Sequence, residues 1–218
     1  MSITLSEIEA RVLGSLIEKQ LTTPEYYPLT LNALTAACNQ KSNRDPVMAL
    51  GETELLAAID TLRDKNLVYL FYGSGSRTVK YKHMLPGVFE LEDPAVAVIA
   101  LLLLRGPQTV GELRGRSDRL YEFSDLGEVQ ETLDGLARRD EPLVTKLERQ
   151  PGQKEARYAH LLSGAVDVEQ ISYITQPTVS SGSSASERIT MLEKNVESLR
   201  TEISELRATF NEFRKQFE

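Results

Sequence analysis

The residues best suited to chemistry form one polar segment, Asn39-Gln40-Lys41-Ser42-Asn43-Arg44. Amide side chains can bond to base edges in DNA, while lysine and arginine bind phosphates or guanine. The alternative is a structural turn in which the asparagine side chains bond to nearby backbone groups. The predicted DNA contacts in this segment are Gln40, Lys41, Asn43 and Arg44.

Further basic side chains lie on the two predicted β-hairpins and on the second predicted helix of the second half of the chain. A hairpin beside a DNA-binding helix usually contacts the phosphate backbone. The alternative is an ordinary solvated surface, in which these cations pair with neighbouring carboxylates. The additional predicted DNA contacts are Arg77, Lys80, Arg114, Arg116, Lys154 and Arg157.

The helix expected to enter the DNA groove is acidic in both halves, which argues in the other direction. Carboxylates are repelled by phosphates, although they can accept a hydrogen bond from cytosine. An acidic helix suits a protein partner better than a phosphate backbone. These carboxylates are Glu52, Glu54 and Asp60 in the first half, and Glu128, Glu131 and Asp134 in the second.

No pattern in the sequence indicates catalysis or a bound cofactor. Gly73-Ser74-Gly75 lacks the third glycine and the following helix of a dinucleotide site. His83 and His160 occupy equivalent places in the two halves, which indicates a shared structural role. No histidine and cysteine cluster has zinc spacing. We therefore predict a protein without enzymatic activity, with no catalytic residue, no metal and no cofactor.

The bulk composition limits the cellular setting and the type of partner. A net charge of −7 over 218 residues argues against a protein that coats nucleic acid non-specifically. Cys38 is the single cysteine and lies on the predicted inward face of a helix, so we expect a core residue. The N-terminus has no signal-like core, and the apolar run 95–104 is too short to span a bilayer. We predict a cytoplasmic protein that does not bind membranes.

An internal repeat is the most informative feature of the chain. Leu50-Gly51-Glu52 in the first half matches Leu126-Gly127-Glu128 in the second. Further along, Tyr81 and His83 match Tyr158 and His160 at similar spacing. This agreement predicts that one fold is used twice, with the boundary near residues 89–93.

Three helices and a hairpin are predicted in the first half. Ser6 and Glu9 have the spacing of a capping box, and Asn66 is a plausible helix stop. A turn rich in glycine and serine separates two strand-like segments. The predicted bounds are Ser6–Gln20, Thr30–Asn39 and Gly51–Lys65 for the helices, and Leu67–Tyr72 and Thr78–Lys82 for the strands.

The second half repeats this order. Asp93 is predicted to cap its first helix, with Pro94 at the first helical position. Three helices followed by a hairpin is the order of a winged helix, so we predict an α+β fold, mainly α, with two tandem winged-helix domains over 1–90 and 91–168. The predicted elements are helices Asp93–Arg105, Thr109–Arg119 and Asp125–Arg139, and strands Leu143–Arg149 and Ala156–Leu161.

The C-terminal part predicts a flexible linker over 169–186 and a coiled-coil helix over 187–218. β-Branched residues at a positions and leucines at d positions favour a parallel two-stranded coil. The alternative is a helix that folds back on its own domain, and the phenylalanine end leaves the number of strands open. The predicted oligomerisation residues are Ile189, Leu192, Val196, Leu199, Ile203, Leu206, Phe210 and Phe213.

Several long motifs resemble the YceH family of bacterial proteins, whose function is unassigned. They include Thr22-Thr23-Pro24-Glu25-Tyr26-Tyr27-Pro28-Leu29 and the segment 37–47 around the polar motif. Others lie at 103–114, 121–125 and 157–161, so the resemblance covers most of residues 5–164. It implies a tandem winged-helix fold and brings no catalytic residues.

The sequence favours a dimeric DNA-binding regulatory protein that binds double-stranded DNA through its winged helices. The alternative is a protein-interaction scaffold built from winged-helix docking modules, because fold does not fix function. A basic stripe shared by both hairpins would favour DNA. An exposed apolar patch beside an acidic third helix would favour a protein partner.

Overall fold

The structure is a computed structural model that describes residues 3–73, 78–149 and 153–164. These residues belong to one compact unit, which spans residues 1–166. The predicted DNA contact Arg77, the linker over 169–186 and the coiled-coil helix over 187–218 lie outside the described residues. The predicted division between residues 90 and 91 falls inside the unit.

The first helix forms as its capping pattern predicts. α1 spans Glu7–Thr22, and the Ser6 hydroxyl accepts a hydrogen bond from the Glu9 amide. The Glu9 carboxylate accepts in turn from the Ser6 amide at 2.6 Å. This reciprocal capping satisfies two N–H groups that a helix start leaves unpaired.

The next two helices also agree with the predicted order. α2 spans Leu31–Cys38 and is capped by the Thr30 hydroxyl. α3 spans Glu52–Asp64, and Asn66 follows with a φ of 58°. Asparagine tolerates this left-handed conformation better than most residues, so it ends the helix as expected.

The hairpin of the first half belongs to a three-stranded antiparallel sheet. β1 is Leu29–Thr30, β2 is Val68–Tyr72 and β3 is Val79–His83. The strand order is β1-β3-β2, which makes β2 an edge strand among the described residues. Sequence reasoning predicted the hairpin and missed β1, because a two-residue strand has no periodicity.

The second half repeats the helices with a smaller sheet. α5 spans Asp93–Arg105, α6 spans Val110–Ser117 and α7 spans Leu126–Ala137. β4 and β5 pair as a two-stranded sheet. Their bounds are Val144–Lys146 and Tyr158–His160.

Two local details differ from the sequence predictions. A short helix, α4, spans Leu85–Phe89 and was not predicted, since its five residues are too few to show a helical period. α5 begins at Asp93 with Glu92 as the preceding cap residue, so Asp93 is inside the helix and the prediction that it caps is wrong. Pro94 is tolerated at either of the first two helical positions, because proline has no N–H and the N–H groups there would have no partner within the helix.

The two halves share one apolar core. The most extensive packing between helices joins α1 to α5, and the core cluster includes residues from both halves. Gly14 of α1 faces α5 so closely that a Cβ atom there would lie 2.9 Å from the Leu104 side chain. The Leu5 amide donates to the Leu162 carbonyl at 2.7 Å, which joins the two ends of the unit.

The α+β prediction is confirmed in its general form. The described residues contain seven α-helices, one short 3₁₀ helix at Pro24–Tyr26 and two small antiparallel sheets. The order of three helices and a hairpin occurs twice, with α4 between the two copies.

Candidate interaction surfaces

Arg44 lies inside the protein and is unsuited to contact DNA. Its side chain is completely covered, and its guanidinium donates to the Glu18 carboxylate of α1 at 2.6 and 3.1 Å. It also donates to the Ala37 carbonyl at 2.9 Å. A buried arginine needs such a set of acceptors, because an unpaired buried charge is costly. The prediction that Arg44 contacts DNA is therefore wrong.

The neighbouring amides of the polar turn, residues 39–46, also bond within the protein. Asn39 both donates to and accepts from the backbone of Leu50, at 2.9 and 2.8 Å. The Gln40 side-chain oxygen accepts from Arg44, and the Asn43 side-chain oxygen accepts from Arg105 of α5. The alternative of a structural turn describes these bonds well. The NH₂ groups of Gln40 and Asn43 have no acceptor among the described residues, so the DNA contacts predicted for these two side chains remain predictions.

A second buried arginine holds the other end of the turn. Arg11 of α1 donates to the Cys38 carbonyl at 3.2 Å and to the Pro46 carbonyl at 2.5 Å. Its pKa is lowered by burial and by the nearby Arg44 charge. The Asp45 amide donates to the Leu104 carbonyl at 2.9 Å, so the turn also bonds to the second half. Lys41 alone of the basic residues in the turn is exposed.

The outer face of the first sheet combines aromatic and basic side chains. Phe71 is paired directly with Lys80, and Tyr69 is paired with Lys82. Directly paired residues of antiparallel strands lie on the same face of a sheet. These four residues are named here the aromatic–lysine face. It contains Lys80, which was predicted as a DNA contact.

The basic residues of the second half differ in how firmly they are held. Arg157 donates to the Glu112 carboxylate at 2.8 and 3.3 Å, and Arg116 lies 3.6 Å from the same carboxylate. Arg114 donates to the Ser124 carbonyl at 3.1 Å. Lys154 is exposed, and its side chain makes no described contact. Of these four predicted DNA contacts, Lys154 is therefore the one most available to a ligand.

Both third helices present carboxylates on their outer faces, as the sequence predicts. Glu52 and Glu131 are exposed and have no partner among the described residues. Glu128 accepts from the Ser124 amide and hydroxyl and from the Tyr121 hydroxyl, and the Ser124 amide contributes most to lowering its pKa. Each third helix also carries one exposed leucine, Leu56 or Leu126.

An open groove of about 780 Å³ lies beside β2. Its apolar wall continues from the edge strand to α4, where Met84 and Val88 are each 38% exposed. Tyr72 is 65% exposed at the end of the strand. This edge groove is lined by Arg63, Asp64, Val68, Tyr72, Met84 and Val88 among others.

Of the two histidines, His83 is buried and His160 is partly buried. Burial lowers the pKa of His83 to about 4, and the Lys82 charge adds to this shift. Burial lowers the pKa of His160 to about 4 as well. The His83 ring contacts the Tyr27 ring, and the Tyr27 hydroxyl accepts from the His83 amide at 2.7 Å. These features support the structural role predicted for the pair.

Cys38 is fully buried, so its prediction as a core residue is confirmed. Burial raises the pKa of its thiol to about 11, which makes it a poor nucleophile. The described residues contain no group of three histidine, cysteine or carboxylate side chains placed to hold a metal ion. Within the same ranges, no helix is both long and apolar enough to cross a membrane.

The family described as "Protein of unknown function, DUF480" matches residues 5–153 of this chain. That range covers more than half of the 218 residues. The chain belongs to the DUF480 family. The resemblance to a bacterial family of unassigned function is thereby confirmed.

Curated relatives of this DUF480 chain extend over its whole length. A UPF0502 protein of Pelobacter propionicus is 51% identical over 100% of both chains. One from Geobacter metallireducens is 54% identical, again over 100% of both. Another, from Photobacterium profundum, is 45% identical over 95% of this chain and 96% of its own. The similarity therefore includes the C-terminal residues beyond the DUF480 match.

Two features of this DUF480 chain escaped sequence reasoning. The pairing of Arg44 with Glu18 joins residues far apart in the sequence, and the exposed polar motif gave no sign of it. The edge groove depends on α4, which the sequence did not predict. The unbroken apolar and aromatic run of β2 was the one available signal, since an antiparallel strand with one solvated face normally alternates apolar and polar residues.

Proposed function

We propose that this chain is a non-enzymatic interaction protein, built from two tandem winged-helix modules, that binds an extended segment of a partner protein along β2. The observation that carries the proposal is the free edge of β2 beside the edge groove. An added strand would bond to the edge backbone, and its alternate side chains would enter the groove.

The composition of β2 supports such a docking site. The strand Val68–Tyr72 contains no proline and no charged residue, the devices that proteins use to protect a sheet edge. Tyr69, Phe71 and Tyr72 are all exposed. Aromatic residues are enriched at protein interfaces, because they bury a large area at a small entropic cost.

Charge selects the kind of partner. α3 carries Glu52, Glu54, Asp60 and Asp64 against the single cation Arg63. Two carboxylates are already engaged, Glu54 by the Gly51 amide and Asp60 by Arg63. Of the other two, Asp64 lines the edge groove, and its charge favours a partner segment in which apolar residues alternate with lysine or arginine.

The second candidate function is binding of double-stranded DNA by a transcription regulator. The specific observation in its favour is the aromatic–lysine face, together with exposed Lys41 and Lys154. Phosphate contacts from a hairpin require no basic recognition helix. Two features argue against it: Arg44 is buried, and both third helices are acidic. We therefore rank DNA binding below protein docking.

Self-association through residues 187–218 and a cytoplasmic location complete the proposal. The heptad pattern of the tail supports pairing of two copies, which would double the number of docking sites in each particle. Deletion of residues 187–218 should give a folded monomer by light scattering. An unchanged mass would refute pairing through the tail.

The docking site is tested by a photoreactive phenylalanine analogue placed at Tyr72 in living cells. The same analogue at Tyr26, which is 71% exposed and outside the groove, is the control. We expect a discrete adduct from position 72 and none from position 26. The adduct identifies a partner, whose purified form is then titrated against the chain.

Two matched variants decide whether that partner binds in the groove. Val88→Glu should weaken its affinity by about tenfold or more, since an interface anchor is typically worth over 1.4 kcal/mol. Val47→Glu makes the same change at an exposed valine outside the groove and should leave affinity unchanged. Equal affinities for both variants would reject the site.

The DNA candidate is tested with a labelled duplex, followed by fluorescence anisotropy at two salt concentrations. Charge reversal at Lys80 and Lys82 should abolish salt-sensitive binding if the aromatic–lysine face contacts phosphates. Val88→Glu should not affect it. DNA binding would be favoured over protein docking if the duplex binds, the charge reversal abolishes that binding, Val88→Glu leaves it unchanged, and no adduct forms at position 72.

A further inference from the structure

A small polar cavity lies where the two halves of the unit meet. It is formed by the end of α1, the polar turn, the end of α5 and the residues around the end of α6. Its volume is about 160 Å³, below the roughly 300–1,000 Å³ of cavities that bind drug-sized ligands. This repeat-interface pocket is lined by Glu18, Lys19, Ser42, Arg105, Arg116 and Arg119 among others.

Positive charge is concentrated in this pocket, although the chain as a whole carries −7. Four of its lining residues are basic and one, Glu18, is acidic. The Glu18 carboxylate is already neutralised by Arg44 at 2.6 Å. Arg105 is partly desolvated and lies near the Arg116 charge, both of which lower its pKa. Such an arrangement of like charges is stabilised by a bound anion.

Several donors around the pocket are unpaired, or only partly paired, among the described residues. Arg119 is exposed and makes no hydrogen bond or ion pair with the described residues. The Ser42 hydroxyl is likewise without a partner in the described part of the chain. Within the described ranges, the only ion-pair partner of the Lys19 ammonium is its sequence neighbour Glu18, at 3.7 Å. Arg105 donates one N–H group to Asn43, and its other N–H groups have no acceptor in the same ranges.

Internal bonds hold the rest of the pocket in place. Arg116 donates to the Gln108 side-chain oxygen and lies 3.6 Å from Glu112. Glu112 is shared with Arg157, so one carboxylate serves two cations. The charge of Arg116 is therefore only partly neutralised. Its guanidinium is oriented by residues outside the pocket.

We propose that the repeat-interface pocket binds a small phosphate-bearing ligand, which links the first half of the unit to the second. Guanidinium groups match phosphate oxygens in geometry and form charge-assisted hydrogen bonds with them. The Arg105 and Arg119 side chains supply these bonds from the second half, and Lys19 and Ser42 supply them from the first. The volume suits one phosphate group with a short extension.

The backbone phosphates of nucleic acid could form the same hydrogen bonds as a free phosphate ligand. The size of the pocket distinguishes between these two sources of phosphate. A duplex presents its phosphates on a broad, stiff surface, whereas this cavity is enclosed by four segments of chain. A free ligand is therefore the source that the geometry favours. Competition between a short duplex and pyrophosphate separates the two sources.

The test is isothermal titration of the full chain with inorganic phosphate and with pyrophosphate, at ionic strength held constant with chloride. We expect saturable binding of one ligand per chain. Arg119→Glu should weaken it by about tenfold or more, because the change removes charge-assisted hydrogen bonds and adds a negative charge beside the anion. Lys19→Gln should weaken it in the same direction.

The matched control is Lys154→Glu, which makes the same charge change at an exposed cation away from the pocket. It should leave affinity within about twofold, because a distant exposed charge is screened by salt. A fixed concentration of pyrophosphate should also raise the thermal midpoint of the unaltered chain by more than that of Arg119→Glu.

Three results would overturn the proposal. They are no saturable binding of either anion at millimolar concentration, an equal effect of Arg119→Glu and Lys154→Glu, and full displacement of pyrophosphate by the duplex. None of these outcomes bears on the edge groove, where Val88→Glu remains the test of protein docking.

Discussion

The first and second halves repeat the same helices and differ in how they join the second helix to the third. Residues 39–51 make this connection in the first half, and residues 118–125 make it in the second. The first connection buries an ion pair, Arg44 with Glu18, and bonds across to α5. In the second connection, the amide and hydroxyl of Ser124 donate exposed hydrogen bonds to the Glu128 carboxylate.

The first connection should therefore stabilise the unit more than the second. Polar bonds that are buried and long in range are costly to break, while exposed local bonds are replaced by water. The polar turn therefore stabilises the junction of the two halves, although its sequence resembles a nucleic-acid contact.

The largest effect is expected for Arg44→Met, which leaves Glu18 buried without its partner. We expect a loss of about 3–5 kcal/mol in the free energy of unfolding. The corresponding measurement on Arg157→Met, whose pair with Glu112 is half-exposed, should show about 1 kcal/mol or less. Urea denaturation measures both.

Lys41→Met is the control for this comparison, because Lys41 is exposed in the same turn. It should change stability by no more than about 0.5 kcal/mol. If Arg44→Met and Lys41→Met unfold at the same urea concentration, the polar turn does not stabilise the junction.

A pH-dependent loss of stability is expected from His83 and His160. Burial lowers the folded-state pKa of each from 6.5 to about 4. The unfolded chain therefore binds more protons between these values, so stability is complete above about pH 6.5 and falls as the pH drops towards 4. The expected loss between pH 7 and pH 5 is about 2 kcal/mol for each histidine.

Urea denaturation at the two pH values checks this expectation in His83→Gln and His160→Gln. Each variant should lose less stability on acidification than the unaltered chain, by similar amounts. If only one variant responds, the two histidines do not share a structural role.

Packing between the halves is tested at Gly14. Gly14→Ala places a Cβ atom 2.9 Å from Leu104, and overpacking of this kind costs about 1–3 kcal/mol. Gly135→Ala makes the same change on an exposed position of α7 with no atom within 4 Å. It should instead stabilise the protein by about 0.5–1 kcal/mol, because alanine favours the helix. Thermal denaturation distinguishes the opposite signs.

The smallest effect is expected at the caps of the second helices. Thr30 caps α2 with one hydrogen bond, while Thr109 and Glu112 form a full capping box on α6. Either threonine replaced by alanine should cost about 1 kcal/mol. The loss should be greater for Thr109→Ala, because the hydrogen bond it removes is partly buried and that of Thr30 is exposed. Denaturant titration of both variants would reveal the reverse order.

Much of the fold could be predicted because its signals are local. The capping box of Ser6 and Glu9 and the turn at Asn66 each depend on residues a few positions apart. The same is true of the repeated order of helices and strands. β1 and α4 were missed, since segments of two and five residues show no period.

The candidate sites were harder to predict because they depend on distant contacts. Arg44 and Glu18 are separated by 26 positions, and no local pattern shows that they meet. The repeat-interface pocket combines residues of α1 with residues near α6. Exposure of β2 at a sheet edge depends on the strand order, which the sequence leaves undetermined.

The bond between Leu5 and Leu162 has a consequence for how the chain is made on the ribosome. The first residues of the unit reach their final neighbours only after the last residues have left the exit tunnel. Until α5 has also left the tunnel, the side of α1 that packs on α5 is uncovered. Domains that fold during synthesis usually do so from the N-terminus onwards. Here the nascent first half cannot complete its packing until the second half is made. A stalled or truncated product would expose the leucines of α1 to chaperones and proteases.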